Sequence, residues 1–269
     1  MRHWLALAAP AAALALSGCL VVAADTTQRT VVVSEPNAAA LAQDARDRAA
    51  LYAMALGDPR RPATETARDM LRAPFTMLDF IQLRSGDRIA DIRPEEGYFT
   101  RLFAPVVGPR GRVYAFVPNR TAERENAFAD GLATEYGNVT RITGALDAMT
   151  YPEPLDVVFM GQEYHDFHIT GFNTDVAQMN RQVFEALKPG GLYVIIDHEA
   201  AAGVGTSVVQ TLHRIEGAQL RREVEAAGFI FEAESDAIRN PADDHTINVF
   251  QEPVRGRTDQ FVYRFRKPW

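Results

Sequence analysis

Residues 90–115 read ADIRPEEGYFTRLFAPVVGPRGRVYA. After the turn residues Ser85, Gly86 and Asp87, Arg88 to Ile92 predicts a short strand; residues 93–97 form a loop, and a helix runs from Tyr98 to about Val107. Gly108, Pro109, Arg110 and Gly111 make a turn, after which 113–117 is a continuously apolar strand. Strand, helix and strand in this order form a crossover unit, because parallel neighbours need a connection long enough to carry a helix back over the sheet.

The same alternation continues on the C-terminal side. A helix is expected over 121–136, strands near 139–142 and 156–160, and then a helix whose Val176, Met179, Val183 and Leu187 share one apolar face. Lys188, Pro189, Gly190 and Gly191 stop that helix, and 192–196 reads as a strand covered on both faces. Leu220 and Val224 mark a further helix ending at Gly228, followed by strands at about 229–234 and 260–266. On the N-terminal side, an alanine-rich helix opens at Pro36 and Asn37 and stops at Gly57, Asp58 and Pro59; a second piece covers about 64–71, and after Pro74 a third passes through Leu78 and Ile81. The pattern predicts an α/β domain: a Rossmann-like, mostly parallel seven-stranded sheet with helices on both faces, preceded by accessory helices.

The 269 residues carry a formal net charge of -7, which disfavours nucleic acid as a partner. Arg2 and His3 precede an apolar run over 4–16 that is shorter than the roughly 20 residues needed to span a bilayer, so it reads as a signal peptide. The run closes on Leu16, Ser17, Gly18 and Cys19, which resembles the bacterial lipobox. The expected organisation is a signal peptide at 1–18, a tether at 19–35 with a possible edge strand at Val31, Val32 and Val33, and a domain at 36–269. That organisation predicts export to the cell envelope, in the periplasm, with a membrane anchor through lipid on Cys19; a plain secretory signal with an incidental cysteine is the alternative. Cys19 is the only cysteine, so after lipidation no thiol is left for disulfides, zinc or nucleophilic catalysis.

The landmarks of the domain resemble class I S-adenosylmethionine-dependent methyltransferases: Asp91 closing the first strand, Gly97 and Tyr98 opening a helix, Asp156 opening the fourth strand, and the LKPGG turn at 187–191. The segments DPRRP at 58–62, residues 90–115, HRIE at 213–216, AAGF at 226–229, RNPADDH at 239–245 and RGRTDQFVYRFRKP at 255–268 are similar to a family of exported methyltransferases whose chemistry is itself inferred from fold. The resemblance implies S-adenosylmethionine at the carboxyl ends of the strands, with Asp91, Arg93, Pro94, Glu95, Glu96, Gly97 and Tyr98 around its methionyl part. It also implies Asp147 near the adenine amine. Two departures stand out. Arg93 and Glu95 occupy two of three glycine positions, and the acid expected on the ribose falls on Val117, with Asn119 the nearest polar substitute.

The densest chemical constellation is Glu163, Tyr164, His165, Asp166, Phe167 and His168, just after the fourth strand, joined by Asp197 and His198 at the end of the fifth. His165, Asp166 and His198 are the candidate catalytic residues, an imidazole being suited to take a proton from a nucleophile near neutral pH. His165, His168 and His198, with Asp166 or Glu163, also have the donor chemistry of a zinc, manganese or iron site, while a purely structural reading makes these side chains helix caps or partners of buried polar groups. His213, Arg214, Asp243, Asp244 and His245 are candidates for the pocket rim or for turn and capping roles, and Arg255, Arg257, Arg264, Arg266 and Lys267 for a solvated or lipid-facing strand face. Three functions follow: an anchored methyltransferase acting on a small molecule or envelope component, a noncatalytic ligand-binding lipoprotein on the same fold, and a metal-dependent enzyme. Substrate and oligomeric state are not legible.

Overall fold

A computed structural model describes residues 38–269; the expected signal peptide, the expected lipid site at Cys19, the expected tether and the expected strand at Val31, Val32 and Val33 lie outside the described residues. In chain order the elements are α1 (Ala38–Leu56), α2 (Ala63–Thr66), α3 (Asp69–Arg72), α4 (Pro74–Ile81), β1 (Arg88–Ile92), α5 (Thr100–Val107), β2 (Arg112–Pro118), α6 (Ala122–Tyr136), β3 (Val139–Gly144), β4 (Leu155–Gly161), α7 (Val176–Ala186), β5 (Leu187–His198), α8 (Val209–Leu212), α9 (Gly217–Ala226), β6 (Ile230–Ser235) and β7 (Gln260–Arg266). Among the described residues no helix is long and apolar enough to cross a membrane.

The seven strands lie in the order β3-β2-β1-β4-β5-β7-β6. The chain therefore reverses direction across the sheet between β1 and β4, and the crevice at their carboxyl ends is the switch point where ligands bind in open α/β sheets. Neighbouring residues of each strand face opposite layers, as the two-residue period requires. Ile89, Val113, Ala115, Val157 and Phe159 pack with Leu102 and Phe103 of α5, Leu132 of α6 and Tyr52 of α1. Ala90, Tyr114, Phe116, Val158 and Met160 pack with Met179 and Val183 of α7 and with Leu220 and Val224 of α9.

The sheet is mostly parallel but mixed: β7 runs antiparallel to both β5 and β6. The physical reason is the connection. Between β6 and β7 the chain has turns and no crossover helix, so it returns in the opposite direction.

Three smaller differences from the sequence reading are local. The second accessory piece is two single turns, α2 and α3, with Ala73 in a left-handed conformation before Pro74 opens α4. Helix α5 begins at Thr100, two residues later than expected. The basic C-terminal residues also do more than meet solvent. Lys267 Nζ donates to the carbonyls of Phe184 and Leu187 at 2.7 and 2.6 Å and so caps the end of α7; Arg266 donates to the Gly190 carbonyl and Arg264 to that of Phe80, each at 2.6 Å.

Candidate functional site at the switch point

Beyond β1 the backbone takes left-handed φ at every second residue: 54° at Arg93, 51° at Glu95 and 94° at Gly97. These are the three positions at which the resemblance expects glycine. A non-glycine residue there costs roughly 1–2 kcal/mol because its Cβ crowds the next carbonyl. At Gly97 a Cβ would also stand 2.5 Å from Leu132 Cδ1, so that side chain would have to move aside.

The side chains part ways. Glu95 and Glu96 are exposed, whereas Arg93 turns inward and is buried. Its Nη1 is bonded to Glu163 and, at 2.7 Å, to Asp166 Oδ2; Nε reaches Glu125 Oε1 at 3.4 Å and Nη2 lies 3.6 Å from Glu95 Oε1. One guanidinium thus ties the end of β1 to the turn after β4 and to the first turn of α6, across the switch-point crevice. Burial opposes its charge, but Glu163, Glu125 and Asp166 outweigh burial and hold the guanidinium above its ordinary pKa. Burial pushes the Glu163 carboxyl well above its usual range, with Arg93 acting against it.

Arg93 divides the crevice in two. On one side a hollow of about 50 Å³ remains, lined by Asp91, Arg72, Tyr98, Phe159 and Gln162 among others. On the other side lies an open groove of about 670 Å³ lined by Arg93, Arg120, Arg124, Asp166, Ile169, Phe172, Gln210 and His213. Asp91 itself is buried and accepts a 2.6 Å hydrogen bond from Thr100 Oγ1 at the start of α5; burial raises its carboxyl to about 7. Asn119 is exposed and its neighbour Arg120 lines the groove instead. Asp147 stands in a short 3-10 turn and lines a different groove with Phe167 and His168.

The histidines fall into separate groups. His165 is 2% exposed, and its Nδ1 lies 2.6 Å from Oδ1 of the fully buried Asp197, whose Oδ2 accepts the His165 backbone N–H at 2.7 Å. Its Nε2 is 3.1 Å from Asp166 Oδ1 but outside hydrogen-bonding geometry, and has no other partner. Burial works to lower the pKa of His165; the charges of Asp197 and Asp166 reverse this and raise it to about 10. In the ligand-free protein the imidazole therefore carries its proton at neutral pH.

His198 has the opposite environment. Its Nδ1 lies 2.6 Å from Thr258 Oγ1, and burial pushes it down to about 3, so it is neutral. The two rings stand 5.7 Å apart. His168 leaves the group altogether: its Nε2 lies 3.0 Å from Glu223 Oε2, which also accepts from Tyr164. His213, read from the sequence as a candidate for the pocket rim, lines the open groove and stands 3.0 Å from Asp166 Oδ1, with its ring 5.5 Å from that of His165. Arg214 and Asp243 form a fully buried ion pair at 2.9 Å that fastens the long β6–β7 connection, and His245 lies 3.0 Å from Asp259. Asp244 is bonded to Thr246 in an exposed turn, which is the capping role. Glu125, Gln162 and Thr258 were not singled out by sequence; Glu125 is indistinguishable there from any acid in the first turn of a helix.

No family model matches the chain, and no curated protein matches it either. Solved structures do. An S-adenosylmethionine-dependent methyltransferase from Aquifex aeolicus superposes with a TM-score of 0.54 at 17% identity, over 74% of this chain and 92% of that one. The YcgJ protein of Bacillus subtilis gives 0.51 at 17% over 72% and 97%, and the [4+2]-cyclase SpnF gives 0.54 at 17% over 79% and 85%. The domain has the methyltransferase-like α/β fold with a seven-stranded sheet. The same fold carries a cyclase, so fold and chemistry are separate questions.

Proposed function

We propose that this domain is a class I S-adenosylmethionine-dependent methyltransferase whose cofactor loop is closed, in the ligand-free state, by Arg93. The observation that carries the reading is the left-handed backbone at residues 93, 95 and 97, in a loop that lines the hollow at the switch point. The loop keeps the path of a glycine-rich turn although two of its residues are strained by it, and such strain persists where the surrounding structure uses the conformation.

The cofactor does not fit the hollow as it stands. About 50 Å³ has room for one or two waters, whereas pockets for ligands of this size run to several hundred Å³. Binding requires the Arg93 side chain to leave, and a ligand carrying positive charge would then meet Glu125, Glu163 and Asp166 in its place. What the chain's own residues contribute is positioning: Asp197 fixes the His165 ring, and its neighbours Asp166 and His213 line the groove. The substrate is proposed to be a small molecule or envelope component, and the protein to be exported and held in the envelope by lipid on Cys19.

S-adenosylmethionine labelled in its methyl group, incubated with the full chain and an envelope extract, tests the activity. Label should pass to an acceptor with the wild-type protein and not with heat-denatured protein; no transfer by the wild type rejects the reading. Fatty-acid labelling that survives Cys19→Ala would reject the anchor. The filled hollow favours a second reading, a noncatalytic protein that binds a different ligand in the larger groove. It predicts ligand affinity unaffected by His165→Ala and His198→Ala.

A further inference from the structure

We propose that His165, Asp166 and His213 form a binding site for one divalent transition-metal ion, of zinc or iron(II) type, facing the larger groove. The donor atoms are His165 Nε2, Asp166 Oδ1 and His213 Nδ1, all within 4.8 Å of one another. Two of the separations are 3.1 and 3.0 Å. Ligands about 2.0–2.1 Å from a tetrahedral ion stand roughly 3.3 Å apart, so little movement is needed to receive one.

The independent sign of a ligand is His165 Nε2. It is a buried nitrogen with no hydrogen-bond partner, on a residue only 2% exposed, and it points at the other two donors. Buried polar atoms are rarely left unpaired, and an exception calls for a missing partner. The other nitrogen of the same ring is held by Asp197 at 2.6 Å, the arrangement by which a carboxylate orients a metal-bound imidazole. Asp166 is prepared in the same way: Arg93 takes Oδ2 at 2.7 Å and leaves Oδ1 turned to the histidines.

The carboxyls of Glu125, Glu163, Asp166 and Asp197 and the guanidiniums of Arg93, Arg120 and Arg124 stand around the place, and an ion on Nε2 takes the position of the proton that His165 carries in the ligand-free protein. Two imidazoles and one carboxylate select zinc or iron(II) over calcium or magnesium, which prefer all-oxygen shells. Three protein donors leave at least one position open, and because Asp166 and His213 line the groove of about 670 Å³, that position faces a ligand oxygen or water there. His168 and His198 are spoken for by Glu223 and Thr258. The site does not depend on methyl transfer, and its test reads metal rather than activity.

The full chain, purified in detergent without a metal-binding tag, is analysed for bound metals and titrated calorimetrically with zinc. One ion per chain is expected, with affinity weakened about tenfold or more in His213→Gln and changed less than about threefold in His168→Gln. His213 is half-exposed, so its variant should fold; added zinc should raise the melting temperature of the wild type and not of His213→Gln. No zinc bound by the wild type at about 1 mM, or equal binding by wild type and His213→Gln, overturns the proposal.

Discussion

Asp197 holds His165 twice, accepting the backbone N–H at 2.7 Å through Oδ2 and facing ring Nδ1 at 2.6 Å through Oδ1. The turn after β4 and the end of β5 are thereby locked together by one buried carboxylate. Asp197→Asn keeps the shape but removes the charge. It should lower the His165 pKa from about 10 in the metal-free protein, read by NMR titration of the ring, and destabilise the domain by roughly 2–3 kcal/mol in urea unfolding.

Arg93→Ala leaves Glu125, Glu163 and Asp166 without their shared guanidinium, and the loss should be about 3–5 kcal/mol. Arg93→Gly should be less damaging than Arg93→Ala by about 1 kcal/mol, because glycine relieves the left-handed backbone. Equal stabilities in chemical denaturation would show that the loop is not strained.

Asp91 gives the domain a pH dependence with a definite sign. Its folded pKa, raised to about 7, lies above the ordinary carboxyl value of 3.8, so its contribution is fully present below that ordinary value and is lost as pH rises through about 7. Asp87, raised to about 6, acts in the same direction. Thermal unfolding should therefore show stability falling between pH 4 and about 8 from these groups, and Asp91→Asn should flatten that fall by an amount on the order of a few kcal/mol. An unchanged profile in Asp91→Asn contradicts the assignment.

Gly97→Ala should cost about 2–4 kcal/mol, since the new Cβ meets Leu132 at 2.5 Å and the φ of 94° disfavours any side chain. Adding Leu132→Ala removes the first effect and not the second, so the double variant should recover less than half of the loss from Gly97→Ala once the cost of Leu132→Ala alone is subtracted.

Local signals in the chain carried the strand positions well: residues 88–92 and 260–266 appear as β1 and β7 with the expected bounds, because short stretches rich in isoleucine, valine and aromatic residues next to turn residues have few other uses. The direction of β7 was not carried by its own residues. It depends on the absence of a helix between Glu234 and Gln260, and a missing crossover is easily passed over when every earlier connection has one. The site shows the same division. Composition and position flagged His165, Asp166, Asp197 and His198, but the pairing of His213 with Asp166 joins residues 47 positions apart, and that of Arg93 with Glu163 joins residues 70 apart. No periodicity encodes such contacts. Arg93 and Glu95 depart from the glycines expected at their positions, yet the backbone there is left-handed and the arginine side chain turns inward to Glu163.

The account turns on Arg93 standing where a ligand would otherwise sit. Calorimetric titration of S-adenosylhomocysteine into wild type and Arg93→Gly, side by side, addresses this directly. The account predicts that the variant binds about tenfold tighter or better, because closing the loop no longer competes with the ligand. Absence of binding to both proteins at about 1 mM would contradict it and leave the fold without its cofactor.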